Sequence, residues 1–372
     1  MRPIATDPSI DAAVAAGAVF VFNLSGGKDS GALSWAANDY LDRLGHPRAR
    51  RLAIHADLGR AEWKSTPATV EATADRLGLE LDVVRRSAGD MVARWEQRFA
   101  NGIARYVSLS TYNLIGPWSS ASLRFCTAEL KAQVIGPHLA KRFRGQQIVQ
   151  VLGIRREEGK TGGRRKNAPV TSIERRYAKP GNKHGTSMLM WNPGVDWLEP
   201  EIFACHAQHD IPLHEAYTAY GSTRLSCAFC ILASLRDLQA AASAAGNRDL
   251  YLMLVEIEAR STFSFQPDRW LGDVAPSLLS PGLAVDLARA KMLGAERVAI
   301  EAAMPPGLRY VEGWPVREPT LDEAAKIIDA RAVILRHHGL AERFASPREV
   351  VNRFAALIVE REAREERRRR RR

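Results

Sequence analysis

Apolar positions along the chain follow two rhythms. Residues 18–24 form a short apolar, β-branched and aromatic run that stops at Ser25-Gly26-Gly27, the pattern of a buried strand closed by a turn. Leu33, Ala36, Ala37 and Leu41 then recur at helical spacing. The cycle repeats. Residues 51–57 read as a second strand ending in Asp57 and followed by Gly59, and Thr66-Pro67 opens a helix that runs to Leu77-Gly78. Residues 79–84 and 147–152 give a third and a fourth strand. This alternation predicts an α/β fold, a doubly wound, mostly parallel sheet with helices on both faces.

Past residue 235 the pattern turns Ala-rich and helical, interrupted at Pro267, Pro276, Pro281 and Pro305-Pro306. The expected organisation is therefore an α/β domain over 1–235, an all-α region over 236–360 and a disordered Arg-rich tail over 361–372. Residues 90–125 fit neither rhythm well. Trp95, Phe99, Tyr106, Tyr112 and Trp118 suggest a partly helical, aromatic cover over a site, although aromatics at such spacing also build cores.

At 372 residues, 46% hydrophobic and 26% charged, the chain has material for an α/β core and a smaller helical region. No apolar stretch reaches the roughly 18 residues that span a bilayer. Asp7 and Asp11, not basic residues, precede the apolar segment that leads to Leu24, so a cytoplasmic protein with no export signal and no membrane partner is expected. The net charge of +11 is local: residues 361–372 carry +5 and residues 154–184 carry +7, leaving the remainder close to neutral. Placed basic elements of this kind suit a phosphate-bearing partner, with a solvated chain end as the simpler reading of the tail. Four cysteines, Cys126, Cys205, Cys227 and Cys230, are too few for a disulfide scaffold. Cys227-Ala-Phe-Cys230 points to metal or redox chemistry instead.

The first strand–turn–helix carries the clearest chemistry. A helix that opens after a Gly pair offers unpaired amides and its positive dipole end to an anion. Lys28 adds a point charge, and Ser25 and Ser30 add hydroxyls. The Walker A spacing is absent, so an ordinary P-loop enzyme is not supported. In an open sheet, ligands bind beyond the carboxyl ends of the strands. That rule brings Ser25–Ser30, Asp57 and Gly153-Ile154-Arg155 to one edge. Cys205 falls in a helical pattern as a small hydrophobe, His206 and His209 read as a surface helix face, and His337-His338 as a solvated helix end.

The hexapeptide Ser25-Gly26-Gly27-Lys28-Asp29-Ser30 resembles the PP-loop of the ATP pyrophosphatase superfamily, which cleaves between the α- and β-phosphates of ATP. Four further segments narrow the resemblance: Asp57-Leu58-Gly59, the 124–131 stretch from Arg124 through Cys126 to Lys131, Gly153–Glu158, and the 220–230 stretch with Arg224, Cys227 and Cys230. In this order they look like the phosphoadenosine phosphosulfate (PAPS) reductase family, over about residues 18–235. The resemblance implies nucleotide binding by Ser25, Gly26, Gly27, Lys28, Asp29, Ser30, Asp57, Gly153 and Arg155. It implies catalytic roles for Lys28, Asp29, Cys227 and Cys230, and substrate contacts from Arg124, Lys131, Arg156, Arg164, Arg165 and Arg224.

No Cys follows Cys230, so the Glu-Cys-Gly nucleophile of true sulfonucleotide reductases has no counterpart here. Cys126, Cys227 and Cys230 match three of the four ligand positions of the iron–sulfur reductases, and Thr127 departs at the fourth. The implied cofactors are ATP, Mg²⁺ and a [4Fe-4S] cluster with one open iron or completed by Cys205, with zinc as the alternative. The activity implied is cleavage of ATP to AMP and pyrophosphate to adenylate a substrate, a nucleic acid, for sulfur transfer, as in DNA phosphorothioation enzymes and tRNA thiolases. A PAPS or APS reductase of sulfate assimilation is the alternative, and a non-catalytic nucleotide- or nucleic-acid-binding subunit the third reading. Expected partners are a nucleic acid, a cysteine desulfurase or thiol reductant, and a second copy of the chain.

Overall fold

The computed structural model describes residues 2–159, 170–176 and 183–370. Arg164 and Arg165 lie outside them. The chain packs as two units, Met1–Val92 with Ser119–Leu250, and Ala93–Trp118 with Tyr251–Arg372. The boundary expected at 235 falls at 250, and the ambiguous 93–118 segment groups with the C-terminal helices.

The first unit is built on a six-stranded sheet in the order β3-β2-β1-β4-β6-β5. Its strands are β1 (Val19–Asn23), β2 (Arg51–Asp57), β3 (Leu81–Arg85), β4 (Gln147–Val151), β5 (Ile173–Arg176) and β6 (Ser187–Trp191). Five run parallel, and β5 pairs antiparallel with β6 at the edge. The doubly wound expectation holds, and β5 and β6 are added to the four strands read from the sequence.

The strands alternate as a half-turn period requires. Phe20, Phe22, Ala53, Val149, Val151, Leu189 and Trp191 face a core completed by α1 (Pro8–Ala15), α2 (Lys28–Arg43) and α3 (Thr66–Leu77). Val19, Val21, Leu52, Ile54, Ile148 and Met188 face Ile135, Leu139 and Ala140 of α6 (Gln133–Arg142) on the other side. Burial of side chains this size contributes roughly 1.5–3 kcal/mol each. Strand order reverses beside β1, where β2 lies on one flank and β4 on the other. That reversal opens a crevice at the carboxyl ends of β1 and β4, and Asn23 Nδ2 crosses it to Val151 O at 3.2 Å.

Three further helices complete this unit around the crevice: α7 (Glu199–His209), α8 (Glu215–Thr218) and α9 (Leu235–Ser243). α7 packs on α2 through Ile202 and Cys205 against Ala32, Leu33 and Ala36. Cys205 is fully buried, as its helical pattern suggested. The short α5 (Phe125–Thr127) leads into α6 through a π-turn over Ala128–Ala132.

The second unit is helical, with α4 (Met91–Val107) from Ala93 onward, α10 (Arg248–Ser261) from Tyr251 onward, α11 (Pro281–Ala303), α12 (Leu321–His337) and α13 (Pro347–Arg370). Its aromatics are core. Trp95 meets Trp118 edge-on at 5.5 Å, and Trp118 meets Phe265 at 4.9 Å. Glu258, fully buried, accepts N–H bonds from Phe265, Leu271 and Gly272 at 2.7, 2.7 and 3.0 Å. Burial pushes its carboxyl up to about 7 against those three bonds. His338 is not a solvated helix end: burial, with His337 and Arg297 nearby, brings it down to about 4. The expected disordered tail is helical through Arg370, because i,i+4 pairs such as Arg361–Glu365 at 2.9 Å and Glu366–Arg370 hold it and the terminal arginines suit the negative end of the dipole.

One polar tie anchors β2. The Arg51 side chain is fully buried, and its guanidinium reaches Asn38 Oδ1 at 2.9 Å, Asp42 Oδ1 at 2.6 Å and the His46 carbonyl. Burial works to raise the Asp42 carboxyl, but hydrogen bonds from Arg48 and Arg51 outweigh it and the net shift is downward. Its contribution to stability is complete above the ordinary carboxylate range and is lost as pH falls through the depressed value. Arg51→Met is expected to lower unfolding stability by about 3 kcal/mol, and chemical denaturation at neutral pH and at acid pH should show the difference shrinking as Asp42 protonates.

Candidate active site

The turn after β1 is built to leave a helix end open. Gly26 takes φ +73°, a region that costs a side chain but not glycine. The Ser30 hydroxyl donates to Gly27 O at 2.8 Å and its oxygen accepts from Ser25 N at 3.2 Å, while the Ser25 and Ser30 hydroxyls meet at 3.1 Å. Both hydroxyls therefore close the turn on itself. Gly27 caps α2 with no side-chain hydrogen bond, so the first-turn amides have no side-chain carboxylate or hydroxyl from the cap residue.

Gly153, just past β4, holds this helix end from the far side of the crevice. A Cβ there would sit 2.6 Å from Ser30 N, 2.7 Å from Ser30 Cα and 2.8 Å from the Asp29 carbonyl carbon. Only glycine lets the two backbones meet so closely. Gly27 is different: its φ is −78°, and a Cβ would meet nothing closer than Ser25 Oγ at 3.4 Å.

Lys28 and Asp29 form the charged centre. Lys28 is 4% exposed, yet its ammonium pairs with Asp29 at 3.2 Å and with Glu199 of α7 at 3.1 Å. Burial pulls the Lys28 pKa down, but Asp29, Tyr217 and Glu199 together carry it upward, so the ammonium keeps its charge. Arg155 was expected as a hand for phosphate at the mouth. It is buried and bound to Asp29 and to Glu157, which braces the Asp29 carboxylate.

Four histidines that no motif marked lie around the turn and α2. His206, expected on a surface face, is buried with Nε2 at 2.7 Å from Lys28 O and Nδ1 at 3.1 Å from Ile211 O. His209 stacks on Trp35 at 3.5 Å. His55 Nδ1 meets Leu24 O at 2.9 Å and Nε2 meets Glu62 at 3.3 Å. Burial lowers the His55 pKa, the Glu62 hydrogen bond and charge raise it, and the net shift is upward. His214 Nδ1 accepts from Ala216 N at 3.0 Å, so Nε2 carries the proton toward Ser65 and Thr66, each at 3.2 Å. That tautomer cannot take a proton from Ser65, although Ser65 donates to Glu215 at 2.6 Å. Burial shifts His214 downward, which keeps it neutral. Alternating polarity in β2 hinted at His55; Tyr217, His214 and Glu199 sit at element ends where sequence gives no signal.

The remaining expected residues divide. Asp57 accepts from Gly59 N at 2.5 Å and pairs with Arg85, so its carboxylate shapes the β2 end. Arg156 pairs with Asp196 at 2.9 Å on the surface. Arg124 and Arg224 are exposed. Lys131, Cys126 and Cys230 act electrostatically on Cys227, whose thiol is pushed up first by burial and then by the neighbouring thiols, with Lys131 opposing. The three thiols thus share a neighbourhood. Among the described residues, no three His, Cys, Asp or Glu side chains converge as a metal site.

Over residues 19–233 the chain matches the family model of the phosphoadenosine phosphosulfate reductase domain. A crystal structure of phosphoadenylyl-sulfate (PAPS) reductase from Candida auris, in a phosphate complex, is similar at 12% identity over 59% of this chain and 86% of that one, with a TM-score of 0.36. No curated protein matches the chain. Among the described residues no helix is long and apolar enough to cross a membrane.

The two glycines predict different effects on stability. Gly153→Ala is expected to cost about 2 kcal/mol of stability through forced backbone movement and to weaken pyrophosphate binding. Gly27→Ala is expected to keep its thermal midpoint, because its Cβ makes only ordinary contacts with Ser25, Tyr217 and Leu225, while losing pyrophosphate affinity by crowding the turn. Thermal unfolding and calorimetric titration with pyrophosphate check both.

Proposed function

We propose that this chain, which belongs to the phosphoadenosine phosphosulfate reductase domain family, binds ATP at the α2 N terminus and cleaves it to AMP and pyrophosphate, adenylating a nucleic-acid acceptor for sulfur transfer. The observation that carries this reading is the start of α2, where the cap residue Gly27 supplies no side-chain hydrogen bond, beside the buried Lys28 ammonium, at the crevice between β1 and β4. Helix amides and a cation fixed in place suit the charge that gathers on departing pyrophosphate. Mg²⁺, when bound with the nucleotide, would share that phosphate charge.

An acceptor oxygen attacks the α-phosphorus, the bond to the bridging oxygen breaks, and pyrophosphate leaves onto Lys28 and the α2 amides. A persulfide on Cys227 then attacks the activated acceptor and displaces AMP, and the Cys230 thiol breaks the S–S bond, leaving sulfur on the acceptor and a Cys227–Cys230 disulfide that a thiol reductant returns to thiols. Lys28 stabilises the leaving charge, and Asp29, braced by Arg155, keeps Lys28 directed at it. Cys227 and Cys230 are the thiols that would handle sulfur, with a desulfurase as its source. No step runs through a cluster or zinc. The arginines at the end of α13 support a nucleic acid, since six of them lie in the last ten helical residues and such contacts bind phosphate backbones without reading sequence.

The family match itself favours a second reading, reduction of a sulfonucleotide at the same loop. The two differ in products. With ATP and nucleic acid, pyrophosphate release is expected, and Lys28→Met or Asp29→Ala should lower it by about 10²-fold or more. Cys227→Ser should retain pyrophosphate release and lose sulfur incorporation. Sulfite from PAPS or APS with a thiol reductant, and no pyrophosphate from ATP, would replace the first reading with the second. Nucleotide binding without turnover of either would leave a binding subunit.

A further inference from the structure

Besides Asp29, three acceptors from the protein itself rest on Lys28. The Lys28 backbone N–H donates to the Tyr217 hydroxyl at 3.3 Å, and its ammonium reaches Thr223 O at 3.4 Å and Glu199 at 3.1 Å. The Lys28 amide belongs to the first turn of α2, where a phosphate oxygen would be received. A neutral hydroxyl and a peptide carbonyl thus stand in for anionic oxygens.

The Tyr217 oxygen has a second donor. Leu225 N–H reaches it at 2.9 Å, so one oxygen joins the phosphate turn to the segment that leads into Cys227 and Cys230. The Leu225 side chain covers the turn: a Cβ on Gly26 would lie 3.4 Å from Leu225 Cδ2, and one on Gly27 3.7 Å from Leu225 Cβ. On its other flank the segment is fixed by Asp237 of α9. That carboxylate accepts from Thr223 N at 2.7 Å, Ser222 Oγ at 3.0 Å and Ser234 Oγ at 2.8 Å. Beyond Cys227, Ala228 N is tied to Ala61 O at 2.9 Å. The cysteine segment is therefore strung between fixed points, and the Tyr217 hydroxyl and the Lys28–Thr223 contact are ties it shares with α2.

We propose that Tyr217 is a positioning residue that couples occupancy of the α2 N terminus to the Cys227–Cys230 segment: a phosphate oxygen arriving at Lys28 displaces the Tyr217 hydroxyl and the Thr223 carbonyl and frees residues 221–225. This rests on the nucleotide reading above and adds to it the link between nucleotide and thiols. The exchange favours the ligand because charge-assisted hydrogen bonds are roughly twice as strong as neutral ones. Glu199, about half exposed, turns to water at little cost when its ammonium partner is taken. A ligand shifts such an equilibrium only by interactions it makes in one state and not the other. Here Lys28 can receive phosphate fully only once Tyr217 and Thr223 have let go. Sulfur chemistry at Cys227 would then await a bound nucleotide.

The test is iodoacetamide labelling of the full chain, read cysteine by cysteine by peptide mass spectrometry, with inorganic pyrophosphate as probe and calorimetry in parallel. In the wild type, saturating pyrophosphate is expected to speed labelling of Cys227 and Cys230 about fivefold, the effect of one net hydrogen-bonded tie. Tyr217→Phe, which lacks the oxygen, should label at the raised rate without pyrophosphate and respond less than about twofold when it is added. Cys205, fully buried with its thiol toward Ala32 O, reports folding and should stay unlabelled. If Tyr217→Phe exposes Cys205, Asp237→Asn loosens the same segment from its other end and is expected to raise the basal rate; an unchanged rate there overturns the coupling. Pyrophosphate that binds the wild type and leaves labelling unchanged or slower also overturns it. Pyrophosphate that fails to bind removes the nucleotide reading as well.

Discussion

The structure of the first unit depends on one close approach, the backbone of Gly153 against the first turn of α2. Because Asp29, Ser30 and Gly153 leave no space for a Cβ, the loop after β4 and the helix after β1 are held at a single separation. Everything charged in the site is referenced to that contact. Arg155, two residues on, reaches Asp29; Asp29 reaches Lys28; Lys28 reaches Glu199 on α7. His206 completes the support by holding the Lys28 carbonyl from α7. The cationic centre is thus rigid because neighbouring elements each fix one atom of two adjacent residues.

Rigidity of this kind serves chemistry in which charge appears suddenly on a departing group, since a prearranged cation need not reorganise. It also explains the departures from expectation. Arg155 and Asp57 are polar residues at or just beyond the carboxyl ends of β4 and β2, and each is already satisfied by protein partners. The Asp57 carboxylate and the Arg155 guanidinium shape this edge of the sheet.

What the sequence made legible follows from range. The strand–turn–helix around Ser25–Ser30 is local, as are the Thr66-Pro67 start and the short strand runs of β1 and β2, and each is found where its pattern put it. Cys205 was readable because burial on a helix is periodic. His206 was not, since the same periodicity is compatible with a surface face until α2 packs over it. Tyr217 and Glu199 were silent because their contacts with Lys28 cross more than 150 positions. The aromatics from Trp95 to Trp118 were ambiguous for the same reason: their partners, such as Phe265, come from far down the chain.

The second unit is assembled from two pieces of chain, residues 93–118 and everything from Tyr251 onward. During synthesis the first piece leaves the ribosome more than a hundred residues before the helices that bury Trp95 and Tyr106. For that interval its aromatic face has no core to enter, so the growing chain carries an adhesive segment that must be kept from other chains. The same connectivity makes the first unit's sheet wait too, because β4 and β6 are encoded after the insertion. Neither unit can be completed as a continuous stretch, and a ribosome that stops early releases a chain with both cores open.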